Sequence, residues 1–273
     1  PPGTNWLATI DSAIVFLMIC ATMGAVMFVM LLALLFFSTS SARRKPIFVL
    51  NIVAILVGIT SAVVIIVALK YPETPGNARV FFFEASINAY APTFVDCILL
   101  VRLYAVFPLH STPRLRFIFV IGVPALLNVG RLVNATVYLV NFGRIVFEHR
   151  REEIIVGGGG AVQIVSRHPT VKIECFLQIF DNLFSSALFL SRLRGHDSAL
   201  RSRSQSFPEK VYTLFWISTC NFVFPVLLSI VQVVIYMVRP ADYLIATYVQ
   251  EANLYLTTIF LVFATVWVFE GRW

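Results

Sequence analysis

From Ser40 to Asn51 the chain reads SSARRKPIFVLN, with three consecutive cations set between two of its most apolar stretches, LLALLFF before and IFVLNIVAILVGI after. A water-soluble domain gains nothing from such a junction. In a bilayer it marks the place where one spanning helix leaves and the next enters, because Arg43, Arg44 and Lys45 stay among the head groups while their neighbours cross the hydrocarbon. The composition agrees: 59% of the residues are hydrophobic and 13% charged, against roughly 25% charged in soluble domains. The mean hydropathy is +0.85.

A hydrocarbon layer about 30 Å thick takes roughly 20 apolar residues per helix. Seven segments qualify: Ser12 to Phe37, Ile47 to Leu69, Glu84 to Phe107, Phe117 to Val140, Val171 to Leu190, Val211 to Val238 and Leu244 to Phe269. Barrel strands would be shorter and would alternate apolar with polar residues. The expected fold is therefore all-α and integral to the membrane, a single seven-transmembrane helix bundle covering residues 1–273. The chain opens PPGTNW without Met and stops at EGRW after the last segment, so it is read as a piece of a longer protein. No signal peptide is evident.

Short cytoplasmic loops retain Lys and Arg. The loops after the first, third and fifth segments, with the C-terminus, hold Arg43, Arg44, Lys45, Arg114, Arg116, Arg192, Arg194, Arg201, Arg203, Lys210 and Arg272, against Asp197, Glu209 and Glu270. On the other face, cations such as Lys70, Arg79, Arg150 and Arg151 are nearly balanced by acids such as Glu73, Glu152, Glu153 and Asp242. The N-terminus is expected outside and the C-terminus inside. The net charge of +7 then implies anionic lipid head groups and an acidic cytosolic partner rather than nucleic acid.

Cys20, Cys97, Cys175 and Cys220 all fall within apolar segments and are expected to pack as small buried hydrophobes. The sequon Asn134-Ala135-Thr136 falls inside the fourth segment, away from glycosylation. Pro92, Pro124 and Pro225 lie inside segments three, four and six, where each is expected to kink its helix; Pro225 reads equally as a hinge or as a static bend. In the long second outer loop the branched runs Arg144 to His149 and Glu153 to Val156, then AVQIVS after four glycines, suggest a β-hairpin. A flexible glycine linker is the competing reading.

Ionisable groups inside a span are costly and seek partners within the bundle. Counted at about 1.5 Å per residue, Asp96, Arg131 and Asp181 come out at similar depth, and Arg131 is expected to pair with Asp96 or Asp181. Nearer the outside lie Asn88, Glu174, Gln178, Gln232, Glu251 and Asn253, a set suited to a vestibule for a polar or peptidic ligand, or to interhelical hydrogen bonds and interfacial anchors. The candidate ligand-binding residues are Asp96, Arg131, Asp181, Gln232 and Glu251; the candidate cytosolic partner-facing residues are Arg43, Arg102, Arg192 and Arg194.

Enzyme classes fit poorly. Intramembrane zinc hydrolysis needs ligands clustered inside the bundle, yet His110, His149, His168 and His196 all read as loop residues. A Schiff-base cofactor needs a lysine in a span, whereas Lys45, Lys70, Lys172 and Lys210 stand at or beyond segment ends. No cofactor, metal or catalytic activity is expected.

Seven helices with an external N-terminus is the layout of G-protein-coupled receptors. The acid-Arg-Tyr, Asn-Pro-x-x-Tyr and Trp-x-Pro motifs of the large rhodopsin-like class are absent. Instead ARRKPIFVLN resembles the basic turn, Pro-Ile-Phe and Asn of the fungal class D receptors, the alpha-factor-type mating pheromone receptors. STCNFVFPVLL is similar to that family's polar patch ahead of a sixth-span proline, and ATVW stands where it has Ser-Ser-Met-Trp. The departures are Val262 and Phe263 in place of a seventh-span proline, and only Cys20 and Gly24 where span one of the family carries Gly-x-x-x-Gly. As a distant relative, the resemblance implies a plasma-membrane receptor for a peptide pheromone or other small extracellular ligand, coupled to a heterotrimeric G protein, with a homodimer as a further arrangement. The alternatives are a ligand-gated cation channel of the insect-chemoreceptor type, whose N-terminus lies inside, and a small-solute transporter.

Overall fold

The computed structural model describes residues 6–38, 40–70, 77–107, 113–148, 169–200, 207–238 and 243–270. Those residues form helices α1 (Trp6–Phe37), the one-turn α2 (Ser40–Arg43), α3 (Pro46–Lys70), α4 (Asn77–Val106), α5 (Arg114–Glu148), α6 (Pro169–Leu200), α7 (Phe207–Val238) and α8 (Tyr243–Glu270). There is no strand among the described residues. Three of the helices contain stretches long and apolar enough to cross a membrane: Ile14–Phe37 in α1, Pro46–Val67 in α3 and Arg114–Arg144 in α5. Val223–Val238 in α7 is a shorter apolar stretch.

The RRK turn shows how local chemistry sets these boundaries. The Arg43 guanidinium donates to the Leu35 carbonyl, satisfying one of the acceptors that the end of α1 leaves free. Pro46 then opens α3 at the position where a missing N–H costs nothing. Pro92, Pro124 and Pro225 lie within α4, α5 and α7, and each helix continues past its proline.

Successive long helices run antiparallel, as their cross-contacts require. A Cβ at Gly24 would stand 2.8 Å from that of Ala62, and one at Gly58 would meet the Met27 sulfur, so α1 ascends as α3 descends. Ser61 reaches Asn88 while Ala54 and Gly58 line one small cavity with Ala91 and Val95; Tyr90 reaches Thr136 while Asp96 reaches Arg131; Asn134 reaches Thr170 while Arg131 reaches Glu174; and Ser229 reaches Asn253 while Gln232 reaches Gln250, which fixes the same alternation for the pairs α3/α4, α4/α5, α5/α6 and α7/α8. The packing order is α1–α3–α4–α5–α6–α7–α8, closed into a ring by α8 against α1, with α8 also touching α3 and α4. The start of α1 therefore shares one end of the bundle with the starts of α4, α6 and α8.

The polarity of the bundle is reversed with respect to a soluble protein. Met18, Val29, Phe36, Phe37, Leu115, Ile118, Leu126, Phe180 and Val238 are exposed, while Arg131, Asn51, Ser61, Ser229, Gln232 and Glu251 are buried. In water such a surface would be an enormous unpartnered apolar patch; against lipid it is the ordinary outer face of a helical membrane protein. The apolar interior is built where α1, α3 and α8 meet, from Met27, Ile55, Ile65, Tyr255 and Ile259. It continues between α3, α4 and α8 through Ala54, Ala91, Val95, Ile98 and Leu254.

Three expectations are corrected. Arg144 to Glu148 form the last turns of α5 rather than a strand, because Phe142 and Val146, one turn apart, are buried against Phe82, Ala85 and Tyr138; His149 and the glycine run lie outside the described residues. The helix of segment five does not stop at Leu190: α6 continues through SRLRGHDSAL, so Arg192, Arg194 and His196 sit on helical backbone, where Leu, Arg and Ala are favourable and no proline intervenes. Cys97 is exposed rather than buried, since it follows buried Asp96 and each residue of a helix is turned by about 100° from the one before.

Candidate functional site

The polar residues of the interior fall into separate groups. The largest is centred on Arg131, whose side chain is fully buried between α4, α5 and α6. Its Nη1 pairs with Asp96 of α4, its Nε donates to Glu174 Oε1 of α6 at 2.7 Å, and Asp181 Oδ2, also of α6, stands 3.9 Å from Nη1. Asn134, one turn along α5, donates from its amide to the other Glu174 oxygen at 3.1 Å and to the Thr170 carbonyl at 2.9 Å. One guanidinium thus meets carboxylates from two neighbouring helices. Two buried atoms in the group have no hydrogen-bond partner: Arg131 Nη2 and Asp181 Oδ1.

Asp96, Arg131 and Asp181 are therefore brought together, and Glu174, which the sequence places in an outer vestibule, belongs with them. Glu174 and Asp181 are seven residues apart on α6, close to two full turns, and Arg131 and Asn134 are three apart on α5. That spacing, rather than depth alone, is the signal that identifies Glu174 as a partner. Its side chain is 24% exposed whereas those of Arg131 and Asp181 are 0% and 4% exposed, so the group opens to the surface through Glu174. It does so toward the end of the bundle that holds the start of α1.

A second group joins α3, α4 and α8. Ser61 donates to Asn88 Oδ1 at 3.1 Å, and Asn88 in turn hydrogen-bonds Glu251. Glu84, one turn before Asn88 on α4, is the other carboxylate in electrostatic reach of Glu251. A third group links α7 to α8: Gln232 donates to Gln250 Oε1 at 3.1 Å, and Asn253 donates to Ser229 Oγ at 3.0 Å. Gln232 and Glu251 are thus buried like the Arg131 set but in different hydrogen-bonding groups.

Asn51 and Asn128 are buried with both side-chain polar atoms unpartnered. Asn128 lies three residues before Arg131 on α5, hence one turn further from Glu174 on the same helical face. Asn51 belongs to the PIFVLN stretch of α3. Asn128 was not singled out by sequence reasoning, because a lone amide in an apolar run carries no partner signature.

On the side of the proposed cytosolic contacts, Arg43 is exposed but engaged with the end of α1. The side chains of Arg102, Arg192 and Arg194 lie outside the described residues. Among the described residues no group of His, Cys, Asp and Glu is arranged to hold a metal. No protein-family model matches the chain, and no curated protein matches it in sequence.

Proposed function

We propose that the chain is a seven-helix plasma-membrane receptor with its N-terminus outside, a distant relative of the fungal alpha-factor-type receptors, which senses an extracellular ligand and signals to a heterotrimeric G protein. The observation that supports this reading is the Arg131 group. It couples α4, α5 and α6 through buried charge, yet presents Glu174 at the bundle end where an external ligand would arrive. A polar ligand that exchanges hydrogen bonds with Glu174 redistributes the partners of Arg131, and so favours one packing of α6 against α5 over another. Such a ligand shifts the population only as far as it binds the two packings unequally. Displacement of α6 and α7 would then expose the basic segments carrying Arg43, Arg102, Arg192 and Arg194 to the acidic partner.

Two measurements test the proposal. An epitope fused to the N-terminus is expected to be labelled on intact cells; labelling only after permeabilisation would favour the chemoreceptor-channel arrangement instead. Purified protein in lipid nanodiscs is expected to accelerate nucleotide exchange on a fungal G protein when an active extract or pheromone peptide is added. Absence of exchange together with solute uptake into reconstituted vesicles would replace the receptor by a transporter.

A further inference from the structure

Arg131 carries more donors than its two hydrogen-bonded partners use, and a third carboxylate stands just beyond reach of them. A guanidinium offers five N–H donors on three nitrogens. Nε is given to Glu174 at 2.7 Å and Nη1 to Asp96, whereas Nη2, in a side chain that is fully buried, has no partner. Asp181 of α6 is in the complementary condition: its side chain is 4% exposed, Oδ2 stands 3.9 Å from Nη1, and Oδ1 accepts no hydrogen bond. A buried donor and a buried acceptor left unmade are each costly. A proton on Asp181 does not relieve the pair, since it adds a further donor and leaves Nη2 without an acceptor.

Nη1 and Nη2 form the outer fork of the guanidinium, which suits a carboxylate through two parallel hydrogen bonds. Charge-assisted bonds of this kind close at about 2.7–2.9 Å, so the fork stops roughly 1 Å short of Asp181. The guanidinium is planar and rigid, and Glu174 and Asp181 are seven residues apart on α6, so closing on Asp181 lengthens the bond from Nε to Glu174. We propose that Asp181 is a second seat for Arg131 and that the group is a two-position switch. In one position Arg131 holds Asp96 and Glu174, as described above; in the other, reached when Glu174 is otherwise engaged, its fork closes on Asp181. The exchange moves the point at which α5 holds α6 by about 10 Å along the helix, from the partly open Glu174 to the buried Asp181. It rests on the receptor reading only for its trigger, a ligand group at Glu174; the two seats belong to the Arg131 group itself.

The test uses the whole chain in nanodiscs without ligand or G protein, so that its outcome is separable from that of the nucleotide-exchange assay. Glu174→Ala takes away the acceptor of Nε and stands in for an engaged Glu174. In a cryo-EM structure of that variant, held by an antibody fragment raised against the folded protein, Nη1 and Nη2 are expected at about 2.8 Å from the two Asp181 oxygens. In Glu174→Ala combined with Asp181→Asn, Arg131 is expected to stay on Asp96. Should Glu174→Ala not fold, Glu174→Met, which keeps the volume without an acceptor, is expected to show the same closure. The wild-type chain is expected to show the fork open toward Asp181. Arg131 unmoved in a folded Glu174 variant, with Asp181 still out of hydrogen-bond reach, would overturn the proposal. So would a wild-type structure in which Arg131 bonds all three carboxylates at once, or in which a bridging water joins Nη2 to Asp181, because either leaves no second position to occupy.

Discussion

Replacing Arg131 by Met removes the one cation that the described interior holds while keeping much of its volume. The variant leaves Asp96 and Asp181, with side chains 6% and 4% exposed, and the partly open Glu174 without their partner. Removal of one member of a buried ion pair costs ~3–5 kcal/mol. At roughly 2–4 °C per kcal/mol for a chain of this size, the unfolding midpoint should fall by about 10 °C. Asp96→Asn is milder, because the amide oxygen still accepts from Arg131 and Glu174 remains as a charged partner; loss of one charge-assisted hydrogen bond costs ~1.5–3 kcal/mol. Combining Arg131→Met with Asp96→Asn and Asp181→Asn removes the unmatched charges and should recover part of the loss of the single variant. Thermal unfolding in detergent, followed by size-exclusion fluorescence, reads all three. A midpoint for Arg131→Met close to that of the wild type, or a triple variant no more stable than the single one, would refute the claim that charge pairing holds α4, α5 and α6 together.

The glycines give a sharper contrast. Gly24→Ala places a Cβ 2.8 Å from that of Ala62, so α1 and α3 must separate, at a cost of ~1–3 kcal/mol; Gly130→Ala meets nothing within 4 Å and should be neutral or slightly stabilising in the same unfolding assay. A double-mutant cycle on Ser229→Ala and Asn253→Ala should return a coupling of ~0.6 kcal/mol, the usual size for a hydrogen bond between membrane helices. In a Cys220→Ala background, an apolar maleimide should label exposed Cys97 in the folded protein and spare buried Cys20 and Cys175, with peptide mapping by mass spectrometry as the readout. Cys97 protected and Cys175 labelled would mean that α4 and α6 are rotated from the positions described above.

Much of the helical layout was legible because hydrophobic run length needs no tertiary information. The RRK turn and Pro46 stand where the residues alone place them. The ends were harder to read, since hydropathy ceases at the edge of an apolar run whereas backbone hydrogen bonding continues into any favourable helix sequence; SRLRGHDSAL extends α6 for that reason. Arg144 to Glu148 show the converse case, in which branched residues with strand preference are captured by a helix because Phe142 and Val146 find an apolar wall. Within the site, depth counting grouped Asp96, Arg131 and Asp181 but left Glu174, one level nearer the outside, apart from them. Depth treats a helix as a line, whereas a long arginine spans more than a turn and can bridge acids at two levels. The grouping of Ser61 with Asn88 and Glu251 depends on which helices become neighbours, and only the closure of the ring by α8 supplies that information.

The order in which the paired charges lie along the chain has a consequence for biosynthesis. Asp96 precedes Arg131 by 35 residues, while Glu174 follows it by 43. As α5 leaves the ribosome and meets the translocon, the acid of α4 has already been delivered, so the arginine can be neutralised on entry instead of waiting for α6. Exchanging the two, with Arg at 96 and Asp at 131, would preserve the pair but present the insertion machinery with an unaccompanied guanidinium one helix too early.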